Sequence, residues 1–189
     1  MILPKVRDPR LVTIRRGGLL TDPDHHLLAL WAAACAEHVL DLFEAECPSD
    51  LRPRHAIAGA RAWAAGELAM MQSRAAGGHA MGAARPLSGA ARFAAYAAGQ
   101  AACIPHVPEH DLGAAAYAIK AAQAAAAAGD DGEAAARREC QWQRDQLPDP
   151  IRALVFDDQA RRNPICWSVF TEPGPLAAGP THPSGGLQR

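Results

Sequence analysis

Between Gly113 and Gly129 the chain reads GAAAYAIKAAQAAAAAG, and shorter alanine runs recur around Ala32–Ala36 and Ala90–Ala102. Alanine is the strongest helix former and loses no side-chain entropy on folding, so such runs specify helix. They also offer little apolar area per residue. Helices built this way gain stability by approaching closely, with a few large residues (Trp31, Trp63, Phe93, Tyr117 and Trp142) as keys. The expected fold is all-α: a multi-helix bundle or short helical-hairpin array of about six to seven helices. The longest run is interrupted by Lys120 and Gln123 and falls short of a membrane span.

Start and stop signals divide the chain. Thr21 can cap a first helix with Pro23 in its opening turn and Asp22 and Asp24 at the positive end of the dipole. Leu27, Trp31, Cys35, His38 and Leu42 carry that helix to about Glu46. Further helices are predicted from Pro53 to Gly66, from Leu68 to Arg85, from Ser88 to Ile104, from Pro108 to about Ala128, from Glu133 to Gln146 and from Pro150 to Arg162. Gly77-Gly78 falls inside the third, which predicts a kink or a close backbone contact. The domain organisation read from these signals is an extended N-terminal arm over 1–20, one helical domain over 21–170 and a disordered tail over 171–189 rich in Pro and Gly. The arm holds one strand-like stretch, Leu11 to Ile14.

At 189 residues the chain suits a single domain. Its net charge of −1 supplies no global field for nucleic acid. Five cysteines without CxxC spacing argue against a disulfide framework and for a reducing cytosol. The N-terminus lacks the apolar core of a signal peptide. Neither a membrane nor a nucleic acid is expected as partner, and no motif calls for a cofactor.

Chemistry concentrates at histidines. His106-Val107-Pro108-Glu109-His110 matches the H-x-x-E-H zinc pattern in letters. Pro108 breaks the continuous helix that zinc binding would need, so no metal site is expected. Two histidines at a helix start beside Glu109 and Asp111 can still bind an anion or shuttle a proton, or simply cap the helix. His79 sits beside the Gly77-Gly78 break, where it can face a cavity. His38 reads as a satisfied core histidine, and His25, His26 and His55 as surface residues. Asp157 and Asp158 point about 100° apart on a helix and are expected to pair with Arg161 or Arg162. Arg15-Arg16 makes a weak basic patch.

Several segments together carry a family resemblance. They are Ile14-Arg15-Arg16-Gly17-Gly18, Leu30-Trp31 with Cys35 to Leu40, Arg61 with Trp63 and Gly66-Glu67, Gly99-Gln100-Ala101, His106-Val107 with His110, and Gly113 to Ala121. Trp142-Gln143, Leu147-Pro148, Leu154-Val155 and Asp158 complete the set. The chain resembles the small alanine-rich helical immunity-protein-like domains of actinobacteria, over roughly Arg7 to Phe170. It departs from their pattern at Ile104-Pro105, Gly77-Gly78 and Gly82, beside His106 and His79. The resemblance implies a bacterial cytosolic protein that masks a partner protein, such as a toxin, through surface complementarity. It carries no catalytic residues.

The rival is a small helical enzyme or small-molecule-binding protein of specialised metabolism. It would place His79, His106 and His110 in acid–base roles, with Arg85, Lys120, Tyr117 and Gln100 gripping a small anionic molecule. The residues leave open whether the chain is an enzyme and whether it forms a homo- or hetero-oligomer.

Overall fold

A computed structural model describes residues 3–126 and 131–171. Among these residues there are eight α-helices and no strand. Helix α1 spans Asp22–His38, α2 Leu40–Glu44, α3 Arg52–Ala64, α4 Met70–Ala84, α5 Gly89–Cys103, α6 Asp111–Ala125, α7 Gly132–Asp145 and α8 Asp149–Arg162. The one helix beyond those expected is α2. It exists because α1 stops at His38, where Val39 (φ −115°, ψ 9°) leaves helical geometry and the chain re-enters a helix at once. The start signals act as read: Thr21 Oγ1 accepts from the Asp24 N–H at 3.2 Å, and Pro23, Pro53 and Pro150 each stand in a first turn. Asp131 Oδ1 accepts from the Glu133 N–H at 2.9 Å to start α7. The expected end of the preceding helix at Ala128 and most of the tail lie outside the described residues.

Helix α5 lies at the centre, in contact with α1, α2, α3, α4 and α6. Its alanines at 91, 94, 95, 97, 98, 101 and 102 are all buried. Larger residues fill what alanine leaves: Phe43, Ile57, Ile104, Leu112, Ile119 and Ile151 are buried side chains drawn from the surrounding elements. Trp31 is buried and its Nε1–H donates to the Gln143 carbonyl at 2.8 Å, tying α1 to α7. Helix α4 runs unbroken through Gly77-Gly78, so the break signal there resolves into contact. A Cβ on Gly77 would come 2.7 Å from the Gly99 carbonyl oxygen and 2.9 Å from Cys103 Sγ. Small residues here let two backbones touch.

Residues 3–20 lie on the helices as two short 3-10 turns, Pro9–Leu11 and Ile14–Arg16, with a single bridge between Thr13 and Leu20. The strand-like stretch therefore curls into turns, because it has no second strand to pair with. Leu11 and Leu20 are buried beneath it. At the other end, Phe170 returns to the core while Trp167 stays half-exposed with a left-handed backbone (φ 58°). All five cysteines are free thiols.

Candidate functional site

A cleft of about 280 Å³ opens where residues 3–20 cross the first turn of α1, the end of α3 and the turn between α5 and α6. Arg7, Thr13, Arg15 and Arg16 come from the N-terminal segment, and Asp22, His25 and His26 from α1. Trp63, Met70, Pro105, His106 and Pro108 complete the wall. Three guanidinium groups thus face one lining carboxylate, and that carboxylate, Asp22, is already taken by Arg15 Nη2 at 2.6 Å. Arg7 uses Nε and Nη2 on both oxygens of Glu109 at 2.7 and 2.6 Å. Arg16 has no carboxylate partner among the described residues.

The histidines are held by the fold. His25, read from sequence as a surface residue, is buried: its Nε2–H donates to the Ile104 carbonyl at 2.9 Å. His25 and His26 both set their ring edges against Trp63, with centroids 4.7 and 4.8 Å away. His106 Nδ1 is buried and meets no hydrogen-bond partner. Burial and the neighbouring Arg74, Arg16 and Arg7 all push the His106 pKa down. The site is therefore electropositive, with the His25 and His106 rings shifted toward their neutral forms. Among the described residues no three His, Cys, Asp or Glu side chains come close enough to share a metal ion.

Behind the cleft runs a buried ion-pair network. Glu109, 1 % exposed, receives Arg7, and its backbone carbonyl accepts from Arg162 Nη1 at 2.7 Å. Arg162 is itself buried and also binds Asp111 Oδ1 at 2.7 Å and Asp158. Asp158 takes Arg161 as well, as the helical spacing predicted, but Asp157 pairs with Arg10 across the molecule. Asp8 joins through Arg10 and Arg161 at 2.7 and 3.0 Å. Glu109, the carboxylate of the H-x-x-E-H letters, is thus occupied as a structural anchor for Arg7.

The residues singled out from sequence fall in three places. His106 lines the cleft, and His110 lies near it, with Nδ1–H donating to Gln100 Oε1 at 2.6 Å. His79 and Arg85 are exposed on or at the end of α4. Tyr117 and Lys120 belong to an aromatic group on α5 and α6, where Tyr117 stacks on Tyr96 and Lys120 Nζ sits 5.8 Å from the Phe93 ring. His38 is no core residue. It is 41 % exposed, bonds the buried Glu139 at 2.7 Å and stacks on Trp142 with centroids 3.6 Å apart. Sequence reasoning passed over Arg7, His25, His26 and Trp63 as cleft residues. The one local signal was the juxtaposition of Arg15-Arg16-Gly17-Gly18 with His25-His26.

The sequence profile of the Imm-5 like putative immunity protein family matches residues 18–150. The chain belongs to that family. No curated protein and no solved structure matches it. In this family member the profile covers the α1, α3, α4 and α5–α6 walls of the cleft, while the cleft residues Arg7, Thr13, Arg15 and Arg16 precede the matched region.

The buried histidines fix a pH dependence. Burial lowers the pKa of His25 and His106, and drives that of His110 to about 4. A histidine whose folded pKa is depressed binds fewer protons folded than unfolded, so stability is lost as pH falls from the ordinary value near 6.5 toward the folded one. Asp111 works in the opposite sense: desolvation pushes it up to about 7, so it favours the folded state as pH falls below that. Asp111 offsets a change of about the size that His110 brings, so the net loss of stability between pH 6.5 and 4 comes from His25 and His106. His110→Asn, which keeps a side-chain donor toward Gln100, is expected to flatten this slope by about 2 kcal/mol over that range, allowing for partial exposure of the ring. Urea unfolding midpoints at pH 7 and pH 4.5 check it; equal slopes in both proteins would refute it.

Proposed function

We propose that this chain is a cytosolic immunity protein that neutralises a partner toxin by covering it, with residues 3–20 as the docking surface. The observation that carries this reading is the character of that segment. Val6, Ile14 and Leu19 are 82, 59 and 66 % exposed, and they alternate with Arg7, Arg10, Arg15 and Arg16. Exposed apolar side chains interleaved with arginine, the cation enriched at interfaces, suit a surface that docks a protein. The segment is also preorganised. Arg7 on Glu109, Arg10 on Asp157 and Asp8 on Arg161 hold it to the rest of the fold, so a partner need not order it on binding.

Membership of an immunity-protein family supports a binding role. Free thiols throughout suit a reducing compartment. No helix among the described residues is long and apolar enough to cross a membrane.

The test is co-expression with the product of each adjacent gene. Protection of the host from a toxic neighbour, together with a stable complex on size-exclusion chromatography, is the expected result. Ile14→Asp with Leu19→Asp should weaken that complex at least about tenfold while the helical circular dichroism is unchanged. The reading is wrong if no neighbour is toxic, or if the double variant protects as well as the parent.

A further inference from the structure

The cleft beneath the N-terminal segment carries more than a docking surface needs. We propose that it binds a small phosphate monoester, with the phosphate held by Arg16 and His106 and a flat apolar body lying against Trp63, Met70 and Pro105.

Charge is the first ground. Of the three lining arginines, Arg7 and Arg15 are committed to carboxylates, but each guanidinium keeps N–H donors that its carboxylate does not use. Arg16 keeps all of its donors free of any carboxylate among the described residues. Donors from three chain positions, joined by the Thr13 hydroxyl, suit a tetrahedral dianion better than a planar carboxylate with two oxygens. Histidine is the second. His106 lines the cleft half-buried, and its buried Nδ1 has no hydrogen-bond partner within the described residues. Burial lowers its pKa first, and the positive potential of Arg74, Arg16 and Arg7 adds to the fall, a potential that an oxyanion would relieve. The third ground is the mixed lining. Trp63, Met70, Pro105 and Pro108 form apolar wall beside the cationic groups, as in pockets that take an organic ligand by one charged end. A volume of about 280 Å³ fits a molecule of one ring and one phosphate. A cation is disfavoured by the same arginines.

This inference stands independently of toxin neutralisation and needs no partner to test. Uniformly ¹⁵N-labelled protein is titrated at constant ionic strength with phenyl phosphate, inorganic phosphate and benzoate, following the Trp63 indole and the His106 ring. Saturable shifts confined to the cleft, tightest with phenyl phosphate, are expected. Arg16→Gln should weaken binding about tenfold or more, and His106→Ala should weaken it too. Arg138→Gln, on the exposed face of α7, should leave it unchanged. Thermal unfolding adds a second readout: phenyl phosphate should raise the Tm of the parent and not that of the Arg16→Gln protein. Shifts that do not saturate, that spread over the surface, or that survive Arg16→Gln would overturn the proposal. So would benzoate binding as tightly as phenyl phosphate.

Discussion

Arg162→Met is expected to cost about 3–5 kcal/mol, the loss that follows when one partner of a buried ion pair is removed. Arg162 is 3 % exposed, and both Asp111 and Asp158 are fully buried. Its Nη2 serves both carboxylates, and its Nη1 reaches the Glu109 carbonyl. Methionine fills a similar volume but leaves two carboxylates in one dry pocket. Asp158 retains Arg161, whereas Asp111 retains only a backbone N–H and has a second oxygen, Oδ2, with no partner at all. The loss therefore falls mainly on Asp111, and adding Asp111→Asn should restore part of it. Urea denaturation of the two single variants and the double variant gives the coupling directly. A loss under about 1 kcal/mol for Arg162→Met would show that the network is solvated and not a buried anchor.

Two adjacent glycines in α4 should respond to the same substitution with opposite signs. Gly78→Ala adds a methyl group to open space on an exposed helical turn, and helix propensity alone predicts a gain of about 0.5–1 kcal/mol. Gly77→Ala would place its methyl 2.7 Å from the Gly99 carbonyl oxygen and 2.9 Å from Cys103 Sγ. A backbone oxygen on a buried helix cannot step aside as a flexible side chain can, so α4 and α5 must separate. Overpacking of that kind costs about 1–3 kcal/mol beyond the propensity gain it has to overcome. Gly99→Ala meets the same crossing from the other side, at 3.0 Å from the Gly77 carbonyl oxygen and 2.5 Å from Met81 Cγ. Differential scanning calorimetry of the three variants should give one Tm above the parent and two below it. Three increases would show that the helices do not meet at these glycines.

The sequence announced its helices because their signals are local. Thr21 and Pro23, Gly66 at φ 77°, and Pro108 all act within one turn of where they stand. Val39 was missed because the apolar spacing from Leu27 to Leu42 continues smoothly across it, and a change of a single residue's dihedrals leaves no trace in periodicity. His25 was misread for a different reason. A first-turn position looks exposed until the Ile104 carbonyl, 79 residues away in sequence, is brought over it. The same holds for the network under the cleft. Arg162 to Asp111, Arg7 to Glu109 and Arg10 to Asp157 are separated by 51, 102 and 147 residues, and no local pattern specifies such pairs. Of the residues picked for chemistry, His106, His110 and Gln100 share one neighbourhood, while His79, Arg85, Tyr117 and Lys120 lie elsewhere. The proline signal identified where the backbone turns and the glycine signal where two backbones touch, neither of which is the same as where side chains converge.

Those separations also set an order of assembly. Helices α3 to α7 touch mainly their neighbours along the chain, contacts that close quickly and early. The N-terminal segment precedes its anchors at Glu109 and Asp157 by 102 and 147 residues, so it is synthesised well before them. Arg7 can reach Glu109 before α8 exists, but Arg10 and Asp8 gain Asp157 and Arg161 only when α8 is complete, so the arginine-bearing wall of the cleft is pinned at all its anchors last. A chain lacking α8 would keep the Arg7–Glu109 anchor and lose those to Asp157 and Arg161, leaving that wall tethered at a single point.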